Sequence, residues 1–116
     1  MARQIGSRVT RRRDTPAPLA DTSVEWSAAL IQPRRMLASS VQSAIVTVTA
    51  PMVLDGQVSV AIADRTYPAE WLGESGQHRR ARALLTGVPA GRRAVRVVVA
   101  QGGERADLEA GLMTVT

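Results

Sequence analysis

The chain has 116 residues, a length that fits one domain, and 45% of them are apolar, enough for a small core. It contains no cysteine, which excludes a disulfide framework and a thiolate metal site. Its net charge of +5 comes wholly from residues 1–13, because residues 14–116 contain ten Arg and ten acidic residues. No apolar run approaches the ~20 residues of a membrane span, and we expect no secretory signal at the N-terminus.

The first 20 residues are predicted to form an extended basic arm ahead of a β-domain at residues 21–116. Pro16 and Pro18 favour an extended backbone and remove hydrogen-bond donors. The charge of the arm comes from Arg3, Arg8, Arg11, Arg12 and Arg13. These five residues are the candidate contact site of the protein.

Three interpretations of the basic arm remain open at this point. We favour an arm that joins subunits, because the planar guanidinium of Arg binds a carboxylate of a neighbour with two hydrogen bonds. A solvated terminus without a partner is the second interpretation. The third is sequence-independent contact with nucleic-acid phosphates, although the neutral domain shows no basic stripe interleaved with aromatic residues.

Residues 21–31 are compatible with two elements. Asp21 or Thr22, followed by Glu25, resembles a capping box that would open a short helix ending at Ile31. Apolar residues also alternate with polar ones, as in a strand, at Val24, Trp26, Ala28 and Leu30. We predict the strand, ended by Pro33, with a loop or one helical turn at residues 36–42.

From residue 43 onward the pattern predicts short strands separated by turn residues at spacings of about 8–12 residues. The clearest strand lies in Arg92–Gly103, where Val95, Val97 and Val99 share one face. The other predicted strands are Ala44–Thr49, Met52–Leu54, Gln57–Ala63, Thr66–Leu72, Gln77–Leu85 and Asp107–Val115. Six or seven such strands predict an all-β fold, an immunoglobulin-like β-sandwich with an extended N-terminal arm.

Turn and breaker residues refine this arrangement. Asp55-Gly56 is a strong tight-turn signal that predicts a hairpin between Met52–Leu54 and the next strand. Pro68 marks its strand as an edge or as the site of a bulge. Gly102-Gly103 predicts the turn before the last strand.

No residue pattern specifies a reaction, so we expect a protein that is not an enzyme and uses no cofactor. His78 is the only histidine, and we predict it at a solvated strand end. One histidine without cysteine cannot supply a common zinc site. Asp55, Asp64 and Asp107 lie in or near predicted turns, where Asp accepts hydrogen bonds from nearby backbone donors.

Trp26 and Trp71 are two of only three aromatic residues in the chain. We predict that they anchor the core, because each indole would bury a large share of the apolar area. Exposed in one cleft, the same pair would favour carbohydrate binding instead.

The pattern resembles the small immunoglobulin-like virion proteins of tailed bacteriophages, of the fiber–tail adaptor, minor head–tail or capsid-decoration type. The similarity covers roughly residues 20–116, and the residue types involved are common in β-sandwiches. It is carried by Asp21-x-x-x-x-Trp26-Ser27, by Gly87-x-x-Ala90-Gly91-x-x-x-Val95-x-Val97-x-Val99, by Gly102-Gly103-Glu104-Arg105 and by Leu112-x-x-Val115. This chain departs from the resemblance in its Arg-rich leader, since the leaders of those proteins tend to be acidic.

The resemblance implies a structural subunit of a phage or phage-like particle, assembled in the host cytoplasm and located in the virion. Its partners would be other virion proteins or copies of itself. The alternative expectation is a stand-alone β-sandwich module that binds carbohydrate or protein.

Overall fold

The structure, a computed structural model, describes residues 21–116. These residues contain eight strands and no helix, and hence none long and apolar enough to cross a membrane. The strands are β1 (Ser27–Gln32), β2 (Arg35–Met36), β3 (Gln42–Thr49), β4 (Gln57–Ile62), β5 (Arg65–Leu72), β6 (His78–Leu85), β7 (Gly91–Gln101) and β8 (Glu104–Val115). The all-β prediction is therefore confirmed.

The eight strands form one hydrogen-bonded sheet in the order β1-β3-β6-β5-β4-β7-β8-β2. Neighbouring strands are antiparallel except β2 and β8, which are parallel. The sheet curls until its first strand returns to β8, so that a Cβ built on Gly111 would lie 3.8 Å from Leu30 Cβ. The core lies inside this curl, and the fold is a curled sheet rather than two separately paired ones.

The pairing between β5 and β6 is short. Only Ala69–Leu72 of β5 pair with β6, whereas Arg65–Ala69 pair with β4. Pro68 lies in the part of β5 that is paired on one side, where its missing N–H costs no ladder bond on the β6 side. The prediction that Pro68 marks an edge strand or a bulge is therefore wrong: β5 is an interior strand with regular pairing, and the proline is accommodated where β5 pairs on one side only.

The core is built from the alternating apolar residues of the strands. Val95 and Val97 of β7 are fully buried and Val99 is almost so, as their shared face predicts. The same alternation predicts inward faces for β4, β5 and β6, and the structure confirms them, with these residues in the core or packed against it: Val58, Val60, Ile62, Tyr67, Ala69, Trp71, Ala81, Ala83 and Leu85. Small β-branched and aliphatic side chains fill this core with little aromatic help.

The ambiguous segment after residue 20 is a turn followed by a strand. The Val24 N–H donates to the Asp21 carbonyl oxygen at 3.2 Å, and β1 begins at Ser27. Leu30 is buried and Ala28 packs against the core, which is the alternation that favoured a strand. The helix alternative is therefore wrong here, because one face of this segment must cover the core at the edge of the sheet.

The hairpin predicted at Asp55-Gly56 is not formed. Met52–Leu54 is no strand, and residues 50–56 form a loop that carries the chain from β3 to β4, two strands that are not neighbours. Leu54 of this loop is fully buried, and its N–H donates to the Gly76 carbonyl oxygen at 2.8 Å. The apolar run Met52–Leu54, which suggested a strand, instead covers one end of the core.

Gln101 holds this loop in place from the end of β7. Its Oε1 accepts hydrogen bonds from the backbone N–H groups of Asp55 (3.1 Å) and Gly56 (2.9 Å). Its Nε2 donates to the Val53 carbonyl oxygen at 2.7 Å. One amide side chain therefore satisfies three backbone groups of the loop.

We expect Gln101→Ala to lower the free energy of unfolding by about 2 kcal/mol, because it leaves three backbone groups without this partner, two of them in part-buried hydrogen bonds. Urea denaturation measures the loss. Gln101→Glu keeps an oxygen that can accept both N–H groups and loses the donor, so its stability should fall between those of wild type and Gln101→Ala. Equal stability of all three proteins would contradict this role of Gln101.

The last strand is longer than predicted and contains a bulge. Gly102 and Gly103, both with positive φ, make the predicted two-residue turn from β7 into β8. Val95 pairs with Gly111 and the next residue, Arg96, pairs with Glu109, which leaves Ala110 as the extra residue. Up to Ala110 the even-numbered residues of β8 face the core. After the bulge the odd-numbered residues Met113 and Val115 do so.

Candidate functional site

The five arginines of the basic arm, Arg3, Arg8, Arg11, Arg12 and Arg13, lie outside the described residues. The site has to be assembled from the surface that residues 21–116 offer to such an arm or to another ligand. That surface has four distinct features: the charge at the two ends of the sheet, a groove on its outer face, the two tryptophans and the isolated polar groups.

The two ends of the curled sheet carry opposite charge. The acidic end, which includes the β7–β8 turn, exposes five acids, Asp21, Glu25, Asp55, Glu74 and Glu104, beside the exposed Arg105 and the half-buried Arg79. The basic end, where β7 begins and β8 finishes, exposes Arg34, Arg35, Arg65 and Arg92 beside a single acid, Asp64. The neutral domain is therefore polarised along its strands, and such a field attracts basic partners to one end and acidic partners to the other.

The Asp21 carboxylate at the acidic end is held in its ionised form. The Ser23 hydroxyl donates to it at 2.7 Å and the Ser23 backbone N–H at 3.0 Å. These hydrogen bonds lower the pKa of Asp21 below its ordinary value. The negative charge of Asp21 therefore persists to a lower pH than that of an ordinary aspartate.

A groove of about 620 Å³ crosses the outer face of β4, β5 and β7. Its lining combines small and polar side chains with one aromatic edge and includes Ser59, Thr66, Glu70, Trp71, Val98 and Arg105. Exposed ion pairs tie together the strands around it, Arg82 with Glu70 at 2.6 Å and Arg96 with Asp107. The groove could receive an extended polar ligand, but it brings together no cluster of catalytic groups.

Trp71 is fixed by its neighbours. Its indole N–H donates to the Gly56 carbonyl oxygen at 2.7 Å, and the Arg79 guanidinium lies 5.4 Å from its ring centroid. The same guanidinium donates to the carbonyl oxygens of Leu54 and Gly73, each at 2.8 Å. Trp71 packs against the core and is only half-buried, so it closes the core and also lines the groove.

Trp26 also packs against the core, immediately before β1, and is half-buried. It is not among the residues that line the groove beside Trp71. The two tryptophans thus both contact the core, as predicted, and are not joined in one groove.

The isolated polar groups take structural positions. His78 lies exposed at the start of β6, and its Nδ1 is 2.7 Å from Thr49 Oγ1 on the neighbouring strand. Asp107, predicted to cap a turn, instead lies within β8 and pairs with Arg96 across the ladder. Among residues 21–116 no three His, Asp or Glu side chains are grouped so that they could hold a metal ion.

Sequence reasoning missed Arg79 and Gln101, which organise the acidic end. Arg79 shares its strand face with Ala81, Ala83 and Leu85, so a charged residue at an inward position was a signal that could have been read. Gln101 gave no such signal, because its partners are about 45 residues away in the chain.

Comparison with known proteins adds a likeness of fold. No family model and no curated protein matches the chain. Among solved structures it is similar to the endo-beta-1,4-mannanase from Thermotoga petrophila, with 14% sequence identity and a TM-score of 0.57. The match covers 79% of this chain and 20% of that chain, so the protein spans about a fifth of the mannanase's length. At this identity the likeness shows the fold alone.

Proposed function

We propose that this protein is a non-enzymatic structural subunit of a bacteriophage or phage-like particle, which joins or decorates head or tail components. The single observation that carries the proposal is the division of charge. The basic arm holds the whole net charge of +5, and the domain that follows is neutral but presents an acidic end. Such a chain has both partners of an electrostatic contact between copies.

The fold suits this role. The short pairing between β5 and β6 divides the sheet into a group of three strands, β1-β3-β6, and a group of five, β5-β4-β7-β8-β2. Apart from the two-residue β2, the chain crosses between the two groups after β3, after β5 and after β6, and repeated crossing of this kind is also found in immunoglobulin-like sandwiches. We therefore keep an immunoglobulin-like sandwich as the proposed description of the curl. Small rigid domains of this kind bind firmly to a symmetric particle when many weak contacts act together.

A second candidate is a stand-alone module that binds carbohydrate or protein. The groove beside Trp71 favours it, since its volume of about 620 Å³ lies in the range of small-ligand sites. To test this candidate, soluble polysaccharides are titrated into the purified protein and binding is measured by the change in tryptophan fluorescence. Saturable quenching at micromolar sugar concentrations would favour it over the structural subunit.

The mass of the purified protein in solution tests the leading proposal. We expect a discrete oligomer at low salt that dissociates as the ionic strength rises, because screening weakens contacts between exposed charges. Removal of residues 1–20 should leave a monomer at every salt concentration. In a phage system, the same deletion should abolish incorporation into particles, and unchanged incorporation would contradict the proposal.

A further inference from the structure

The first half of β8 is an open edge of the sheet. β8 pairs with β7 along its length, but on its other side β2 covers only Thr114 and Val115. β1 lies beside the second half, where Leu30 approaches Gly111. Within residues 21–116 no strand pairs with the outer side of Glu104–Glu109, which we call the open edge. Its backbone N–H and C=O groups that point away from β7 can pair with another strand.

The open edge carries negative charge. It contains three acids, Glu104, Asp107 and Glu109, and one base, Arg105, for a net charge of −2. All three acids are exposed. Asp107 already pairs with Arg96, whereas Glu104 and Glu109 make no ion pair with any residue between 21 and 116. An added strand would therefore be favoured if it were basic, because cross-strand pairs of opposite charge stabilise a sheet and like charges destabilise it.

The basic arm has the composition that this edge requires. Residues 1–13 contain five Arg and no acid, and no proline precedes Pro16, so backbone donors are available for pairing. Ile5, Val9 and Thr10 are β-branched residues that favour strands. Fully extended, 20 residues span roughly 66 Å and the six residues of the open edge roughly 20 Å. The arm is therefore long enough to cross to a neighbouring copy and lie along its edge.

We propose that residues 3–13 of one copy add a strand to the open edge, Glu104–Glu109, of a second copy. The inference rests on the proposed assembly through the basic arm and names the surface that receives it. Backbone hydrogen bonds to β8 supply affinity, as in other cases of strand addition. Arg side chains beside Glu104 and Glu109 select the partner and the register. Each copy donates one arm and receives another, either reciprocally within a two-fold dimer or head to tail in rings or chains of subunits.

The first test changes the charge of the edge in the full-length chain. We expect the double substitution Glu104→Arg and Glu109→Arg to weaken self-association at least about tenfold, because it places like charges side by side. The matched control, Asp64→Arg with Glu70→Arg, makes the same change of charge at exposed sites off β8 and off the acidic end, and it should associate like wild type. Sedimentation velocity measures the association, and circular dichroism checks that both variants are folded.

The second test uses the absence of cysteine from the chain. One full-length protein carries Val9→Cys and another Glu109→Cys, and the two are mixed under mild oxidation. We expect a disulfide-linked heterodimer to form at least about tenfold faster than in a mixture of Val9→Cys with Glu74→Cys, because docking raises the effective concentration of the two thiols. Arg8→Cys and Thr10→Cys in place of Val9→Cys cover neighbouring registers.

The outcomes separate this inference from the proposed function. If association needs the arm but ignores both the edge substitutions and the cross-linking pairs, the edge is the wrong surface and assembly through the arm stands. A third protein carries both Val9→Cys and Glu109→Cys, and a disulfide that forms only within this chain, with none between the two single-cysteine proteins, would show the arm on its own edge and overturn the inference. A monomer that shows no preferred cross-link at any salt concentration overturns both proposals.

Discussion

Gly56→Ala should destabilise the protein by about 3 kcal/mol, the upper part of the range for overpacked sites. A Cβ at this position would lie 2.2 Å from Gln101 Cβ and 2.6 Å from the Ala100 carbonyl oxygen. Neither atom can move independently, because Ala100 pairs with both β4 and β8 and Gln101 pairs with Glu104 of β8. The loop at residues 50–56 would have to shift away, and its hydrogen bonds to Gln101 would break.

Thermal unfolding followed by circular dichroism measures this effect, and about 3 kcal/mol corresponds to a fall in Tm of roughly 10 °C or more. Gly76→Ala is the matched control, because Gly76 lies in the facing loop and a Cβ there meets no atom within 4 Å. It should leave stability within about 0.5 kcal/mol of wild type. Similar losses in both variants would contradict the close approach at Gly56.

Trp71→Ala should cost about 3 kcal/mol of unfolding free energy, the low end for a large aromatic residue because Trp71 is only half-buried. The substitution removes the packing against the core and the surface under the Arg79 guanidinium. It also leaves the Gly56 carbonyl oxygen without its indole donor. Chemical denaturation at neutral pH measures the loss.

Two further variants serve as comparisons: Trp71→Phe isolates the indole N–H, and Leu112→Ala is a control for loss of an exposed apolar side chain. Trp71→Phe keeps an aromatic ring and loses the N–H, so we expect it to lower the free energy of unfolding by about 1 kcal/mol. Leu112→Ala removes an exposed apolar side chain, 51% accessible, and should change stability little. If Trp71→Ala left stability intact and abolished polysaccharide binding, the indole would be a ligand platform, and the stand-alone binding module would replace the structural subunit as the leading proposal.

The strands were largely predictable from the sequence and their connections were not. Alternation located β4, β5, β6 and β7 to within a few residues, since burial of one face of a strand repeats every second residue. The same rule failed at Met52–Leu54, where a short apolar run covers the end of the core without pairing. In β8 the alternation of buried and exposed residues changes register at Ala110, because the bulge there turns the following residues to the opposite face.

The candidate surface shows the same limit. The charge of the basic arm could be read directly, because Arg3 to Arg13 contain no compensating acid. The acidic end could not, since Asp21, Asp55 and Glu104 are distant in the chain and are gathered only when their turns reach the same end of the sheet. Trp71 was predicted as an anchor of the core, but its partners Gly56 and Arg79 depend on how β5 and β6 are placed.

By itself, the sequence determined the all-β class, the inward faces of most strands and the separation of a +5 arm from a neutral domain. These properties are local: they depend on composition and on side-chain alternation along a few residues. Only the tertiary structure decided the strand order, the crossing loop at residues 50–56, the polarity of the two ends and the open edge of β8. Each of these depends on pairing between segments far apart in the chain, and such pairing is selected by the packing of the whole core.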